Sequence, residues 1–337
     1  MGAKDTKAKE FLSDNFRFAD LCNFYLFQGE PVIQAENLVE QDTTELLSVF
    51  GMQEKEIQVQ KWRDILKRVV IKRTDECTYA IIGIENQSEI HYAMPVRNMI
   101  YDALNYGKQI NEAGKKKKDG KDYKNQAEFL SQFGREDRLT PVITLTLYWG
   151  AEKWDGPRSI HEMLLPMEHD MMKYVADYKL NLIVPSEIND FNKFRSSLGA
   201  VLAVIKASKD EASMEKLIMG NPIYRKLERD AVTTINMFTK FKIEMKTEET
   251  EMDVRDAWED HRKRGIEEGE YMKLIDIVWK KMKKGYSVEA ISAFLEEDTT
   301  LIQKIFDAAS EEKQDVDSIS AGTMKNIYEK IKSSEEK

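Results

Sequence analysis

Residues 65–73 and 77–85 are two runs rich in β-branched and aromatic side chains, separated only by Thr74-Asp75-Glu76. Such a pair predicts a β-hairpin, the element that leaves this chain least freedom, because one turn position sets every cross-strand partner. With the turn centred between Thr74 and Asp75, paired residue numbers sum to 149 and Asp64 faces Glu85. A slip of one residue would undo that pairing. Directly opposed residues have Cβ atoms about 5 Å apart, where two carboxylates repel unless a proton or cation lies between them. Glu85 and Gln87 are two apart, so they share a face while Asn86 points to the other. The run Ala80-Ile81-Ile82-Gly83-Ile84 anchors these polar groups on a buried element. Oxygen ligands of this kind suit magnesium or manganese, and such an ion holds a phosphate and lowers the pKa of bound water. Spacing alone also admits a plainer reading, in which the two acids are strand-end residues paired with nearby Lys and Arg.

Around the hairpin the pattern is mixed. Phe11, Phe18, Leu21, Cys22 and Tyr25 have helical spacing and predict one amphipathic helix over 7–28, ending near Gly29 and Pro31. Pro95 stands where a second helix should begin, with Val96, Met99, Ile100, Ala103 and Leu104 on one face. That helix is expected to dissolve over 107–114 and to give way to a lysine-rich loop. Residues 141–150 alternate as a half-buried strand, and a short strand is expected over 180–184. From about 190 to 246 the period becomes helical, and two or three further helices follow from 266 to 309. The implied division is a core over 1–188, a helical extension packed on it over 189–246, a C-terminal helical region over 247–309, and a polar, partly disordered tail over 310–337.

Of the 337 residues, 42% are hydrophobic, enough for a packed core, and 33% are charged. The net charge of −9 has the wrong sign for a protein that coats nucleic acid by bulk electrostatics, so any such contact must be local. Residues 51–73 and 108–124 each carry seven Lys or Arg against three acids, whereas 244–270 carry eleven acids against five bases. Cys22 and Cys77 lie far apart with no histidine at metal-ligand spacing, which suggests neither a disulfide framework nor a zinc site and fits the cytoplasm. The first ten residues lack the apolar core of a signal peptide, and no stretch reaches the roughly 18 apolar residues of a membrane span.

One resemblance covers nearly the whole chain. Ile84-Glu85-Asn86-Gln87-Ser88, followed by Met94-Pro95-Val96-Arg97 and Tyr101, strongly resembles the recombination-promoting nuclease family, also labelled transposases, within the PD-(D/E)xK nuclease superfamily. Further matches are Phe18-Ala19-Asp20-Leu21, Pro141-Val142-Ile143-Thr144-Leu145 leading to Tyr148-Trp149-Gly150, and Gly265-Ile266-Glu267-Glu268-Gly269. The resemblance implies a mixed α/β fold, with a four-stranded restriction-endonuclease-like sheet flanked by helices and a helical C-terminal region. It also implies a magnesium- or manganese-dependent DNA endonuclease that hydrolyses phosphodiester bonds and is linked to recombination or mobile elements. By the same likeness, Asp64 is the acid of the first motif and Glu85 the second metal ligand; the mechanism these imply adds the Asn86 carbonyl as a further ligand to one or two metal ions. Gln87 stands where most of the superfamily has Lys. An amide carries no positive charge and cannot serve as a base, though it can orient water or bond a phosphate oxygen.

The fold so implied takes an additional acid from the first helix. Asp20 is the candidate, with a solvated surface role equally open because Glu10 and Asp14 lie on the same predicted helix. Arg97 and Tyr101, one turn apart, are placed to contact a phosphate or to support Glu85, or else to form a surface ion pair. Lys61, Arg63, Lys67, Lys115, Lys116, Lys117 and Lys118 are the candidates for DNA-backbone contacts.

Other signals are weaker. His91, His161, His169 and His261 show no HxH or HExxH arrangement. Gly265 and Gly269 form a GxxxG pattern that a close helix contact or a homodimer seam explains. Helices expected between 275 and 308 follow a helix-turn-helix order, but Thr300-Leu301-Ile302-Gln303-Lys304 holds a single base, so packing or dimerisation is the stronger reading. Gln87 and the acidic net charge keep an alternative function open: a catalytically weak nucleic-acid- or protein-binding module that retains the fold.

Overall fold

The computed structural model describes residues 2–41, 44–47, 59–62, 64–72, 77–120, 122–245, 250–312 and 318–335. They form two compact units, divided between Arg255 and Asp256. The sequence placed that boundary earlier, at 246/247. The difference arises because Leu227–Glu228 pairs with Glu251–Met252 in a small antiparallel ribbon that ties the later residues back into the first unit.

The first unit begins with α1 (Ala3–Ser13) and α2 (Asn15–Phe27) in place of the single helix expected over 7–28. Asp14 causes the break. Its carboxylate accepts the Arg17 N–H at 2.9 Å, so it caps the start of α2 instead of continuing α1. At the other end, Gln28 adopts a left-handed conformation and Gly29 has φ +93°. A Cβ on Gly29 would lie 2.7 Å from the Lys193 carbonyl oxygen. Backbone strain and backbone clash therefore act together, and Gly29→Ala is expected to destabilise the chain by about 2 kcal/mol in urea unfolding.

Strand β1 (Val39–Glu40) is followed by β2 (Thr44–Leu47) and β3 (Val59–Trp62), which pair with each other. Next come β4 (Ile65–Lys72) and β5 (Cys77–Gln87), then α3 (Met94–Gly120), α4 (Gln126–Ser131), β6 (Val142–Tyr148) and β7 (Asn181–Ile183). The main sheet is mixed and five-stranded, in the order β1-β4-β5-β6-β7. It has one strand more than expected, the two-residue edge β1. The β1–β4 and β4–β5 pairs are antiparallel, while β5–β6 and β6–β7 are parallel. The long connections through α3 and the 149–180 segment are what such parallel pairs require.

Helix α3 does not dissolve at 107–114 but continues through all four consecutive lysines to Gly120. Gly107 and Gly114 are buried on it, and a Cβ on Gly114 would sit 2.7 Å from the Gln132 Cβ. Close packing thus offsets the roughly 1 kcal/mol by which glycine disfavours a helix. Helices Ser197–Ala207, Glu211–Gly220 and Arg229–Phe238 complete this unit, and Ser197–Ala207 is almost wholly buried.

The second unit is helical. Trp279, Ile275, Ile291, Ile302 and Ile305 form its core together with Ile327 and Ile331 of the helix Ala321–Glu335. The expected polar tail is therefore corrected over 321–335. Met324, Ile327, Tyr328 and Ile331 stand at i, i+3, i+4 and i+7, an apolar stripe hidden among lysines and glutamates. No helix among the described residues is long and apolar enough to cross a membrane.

Candidate functional site

The β4–β5 register is the one the turn position predicts. Ile65 pairs with Ile84, Arg68 with Ile81 and Lys72 with Cys77, each pair summing to 149. Residues 74–76, where the turn was placed, lie outside the described residues. Asp64 directly precedes the first of these pairs and Glu85 directly follows its partner, so continuing the register sets them opposite one another. Both are buried, at 6% and 0% exposure. The Asp64 Oδ2 accepts the Asn86 N–H at 2.8 Å, fastening the start of β4 to the end of β5.

Ile81, Gly83, Glu85 and Gln87 alternate onto one face of β5, and their β6 partners Val142, Thr144 and Thr146 share it. Helix α3 covers that face. Asn98 donates to the Thr146 hydroxyl at 2.8 Å, the Thr144 hydroxyl donates to Asp102 at 2.6 Å, and the Val142 N–H donates to the Tyr106 hydroxyl at 3.1 Å. These bonds fix the rotation of α3, so its first turns deliver Arg97 and Tyr101 to the Glu85 end of the sheet. Arg97 Nη2 lies 3.1 Å from Glu85 Oε2, and Arg97 Nε donates to the Tyr101 hydroxyl at 3.1 Å. The supporting role is thus the contact observed for this pair. Burial works against the guanidinium charge, but the Glu85 carboxylate and the Tyr101 oxygen outweigh it and hold the Arg97 pKa above its ordinary value. Burial, reinforced by the Glu85 charge, raises the Tyr101 pKa. Arg97 and Tyr101 each feel the Asp64 charge as well, so both carboxylates act on the same small region.

An open cleft of about 340 Å³ lies here, lined by Asp64, Asn86, Gln87 and Arg97 together with Asp5 and His91. Sequence reasoning missed Asp5. It belongs to the first turn of α1, and its carboxylate accepts the Ser88 hydroxyl proton at 3.0 Å. No motif marks it, since only the packing of α1 against β5 brings it in. His91 was set aside on sequence grounds, yet it stands exposed at the rim.

The central polar residues are held locally. Asn86 points away from Glu85, as alternation requires, and its Oδ1 accepts the Trp149 indole N–H at 2.9 Å. Its Nδ2 is buried without a hydrogen-bond partner among the described residues. The Gln87 amide donates to the Asn86 carbonyl at 2.9 Å, so one lone pair of that oxygen is engaged.

Asp20 does not line this cleft. Its carboxylate accepts the Arg195 N–H at 3.0 Å, the Ser196 N–H at 2.8 Å and the Ser196 hydroxyl at 2.6 Å, which tethers α2 to the start of Ser197–Ala207. The acid that the N-terminal segment brings to the cleft is therefore Asp5. Lys67 requires the plainest correction among the backbone-contact candidates. It is 1% exposed, and its ammonium donates to the Ser13 carbonyl at 2.7 Å and to the Asn15 side chain, so it braces the α1–α2 junction rather than facing solvent. Arg63 lies outside the described residues. Lys61 pairs with Glu45 in the β2–β3 ribbon. Lys115, Lys116 and Lys118 are exposed near the end of α3, and Lys117 pairs with Asp137 at 3.3 Å.

Among the described residues no group of three or more His, Cys, Asp or Glu side chains is spaced to hold a metal ion. A two-carboxylate set is what the hairpin provides. The Asp64 and Glu85 oxygens with the Asn86 carbonyl are hard donors of the kind magnesium and manganese take, and the burial of two acids on facing positions favours a nearby cation. Arg97 supplies that positive charge in this structure.

Burial raises the Asp64 pKa, outweighing the opposing Asn86 N–H and the charges of Arg97 and Lys9. The folded chain thus binds this proton more tightly than the unfolded chain does. The resulting stabilisation is fully present below the ordinary aspartate value of about 3.9 and is lost as pH rises through the higher folded value. Asp64→Asn cannot ionise, so in metal-free buffer it is expected to melt above the native chain at neutral pH. The two melting temperatures should converge in acid, and an unchanged difference across the pH range would contradict the assignment.

A scan against protein-family models and searches of curated proteins and of solved structures find no match to this chain.

Proposed function

We propose that this chain is a metal-dependent DNA endonuclease of the PD-(D/E)xK type, linked to recombination or mobile elements. The observation that carries the reading is the β4–β5 register, which, continued one residue beyond the Ile65–Ile84 pair, sets buried Asp64 opposite buried Glu85 beside an open cleft that Asp64 lines. The resemblance in residues 84–101 supports it, as does a parallel β6 alongside β5.

Asp64 and Glu85 would hold the ion, together with the Asn86 carbonyl. A divalent cation bound there supplies a low-pKa water and offsets charge developing on the phosphoryl oxygens. The protein's own groups do the positioning. Arg97 offers a fork of donors that suits a phosphate oxygen, and Tyr101 restricts where that fork points. Gln87 cannot act as a base, so its amide serves to hold the Asn86 carbonyl. Asp5 and Glu89 line the cleft together with Asp64, and these acids favour cation over anion in the metal-free cleft.

One observation favours a second reading. The Arg97 guanidinium already balances Glu85, so the site could persist without metal as part of a nucleic-acid- or protein-binding module. Incubating the native chain with supercoiled plasmid and magnesium, with and without EDTA, separates the two. Chelator-sensitive nicking supports the nuclease, and binding without nicking supports the module.

A further inference from the structure

We propose that a second cleft, between β4 and the C-terminal half of α3, binds a compact phosphorylated ligand. It is a cavity of about 410 Å³ and shares no lining residue with the Asp64–Arg97 cleft. Arg68 lies four residues from Asp64 along the chain, a separation of about 13 Å at strand rise. The proposal does not rest on the nuclease reading.

Charge is the first argument. Arg68 comes from β4, Lys108, Lys116 and Lys117 from α3, and Arg138 from the segment before β6. Five bases converge in a chain whose net charge is −9. Two acids also line the cleft, and one of them is engaged. Asp137 accepts the Gly134 N–H at 2.7 Å and pairs with Lys117 at 3.3 Å, and these contacts hold its pKa low. Glu112 is exposed, one turn from both Lys108 and Lys116. Among the described residues, none of Arg68, Lys108 and Lys116 is ion-paired.

Shape is the second argument. Buried Leu66 and Ile81 form an apolar floor, and the Gln109 side chain is locked to both the N–H and the carbonyl of Thr140, which stiffens one wall. A Cβ on Gly134 would lie 2.7 Å from the Lys117 ammonium, so glycine leaves room for that lysine. Cations from three separate segments that meet around one concavity suit a compact oligophosphate. A nucleic-acid backbone calls for charges strung along a path.

Calorimetric titration of the full chain with sodium tripolyphosphate, in EDTA and low salt, tests this. Saturable one-site binding is expected, weakening as salt is added. Lys108→Gln and Lys116→Gln should each lower affinity about tenfold, as expected for loss of a charge-assisted contact. Lys153→Gln, outside the cleft, should leave affinity unchanged. Lys116 is exposed, so its variant keeps the fold, and equal melting temperatures would verify that for both. The proposal is overturned if tripolyphosphate fails to bind, or if the Lys108 and Lys116 variants bind like the native chain. It is equally overturned if an unphosphorylated single-stranded oligodeoxynucleotide binds in a Lys108-dependent way while tripolyphosphate does not.

Discussion

Glu85→Gln is expected to reduce magnesium-dependent plasmid nicking by at least about three orders of magnitude, because the charge stabilisation a bound metal provides amounts to several kcal/mol. The substitution keeps the size of the side chain and removes its charge. Glu85 is wholly buried beside Arg97, so the variant leaves the guanidinium without its anion and should also melt somewhat lower. Asp64→Asn should lose nicking to a similar degree while melting higher in metal-free buffer, since it relieves a buried charge. The opposite stability changes guard against mistaking misfolding for lost chemistry. Manganese titration by calorimetry supplies a readout that does not depend on turnover, and both variants should abolish the heat of binding. Should the native chain and both variants nick alike, the activity would come from elsewhere and the hairpin site would have no catalytic role.

Asp20→Ala should behave in the reverse manner, with a large stability loss and an intact cleft. Three donors converge on this buried carboxylate, two backbone N–H groups and a serine hydroxyl. Leaving them unsatisfied costs about 3 kcal/mol or more, as measured by urea denaturation. The folded fraction should bind manganese with native affinity, because Asp20 lies outside the cleft that Asp64 and Asp5 line. A variant of native stability that no longer binds metal would restore Asp20 to the site and displace Asp5.

The contrast between these two acids marks how far the residue pattern could be read. The positions of Asp64, Glu85 and Gln87 were legible because local rules govern them. Alternation assigns a strand residue to its face, and a single turn position assigns it a partner. Asp5 follows from neither. It meets Ser88 across 83 residues, through the packing of a helix whose docking position no local pattern encodes. Lys67 shows the same limit on the other face of β4. Its neighbours Leu66 and Arg68 belong to the face that α3 covers, and a lysine between them read as solvent-facing. The α1–α2 junction covers that second face and offers a carbonyl and an amide to its ammonium, so burial became affordable.

Helix α3 carries the same lesson into secondary structure. Two glycines and a lysine run argued for a loop over 107–118, since local propensity is all that such a stretch displays. In the folded chain Gly107 is buried and Gly114 sits against Gln132, which leaves no room for a side chain there, and the helix continues to present Lys108 and Lys116 to the second cleft. Linear order was sufficient for the β4–β5 register and for the start of α3 near Pro95, because each depends on contacts within or between adjacent elements. Strand β6, whose alternation predicted a half-buried strand, is instead buried on both faces between β5 and β7, with Thr144 and Thr146 as inaccessible as Leu145 and Leu147. Which acid joins Asp64 and Glu85, which lysine is buried, and where five distant cations meet depend on contacts between remote segments, and only the packed fold resolves them.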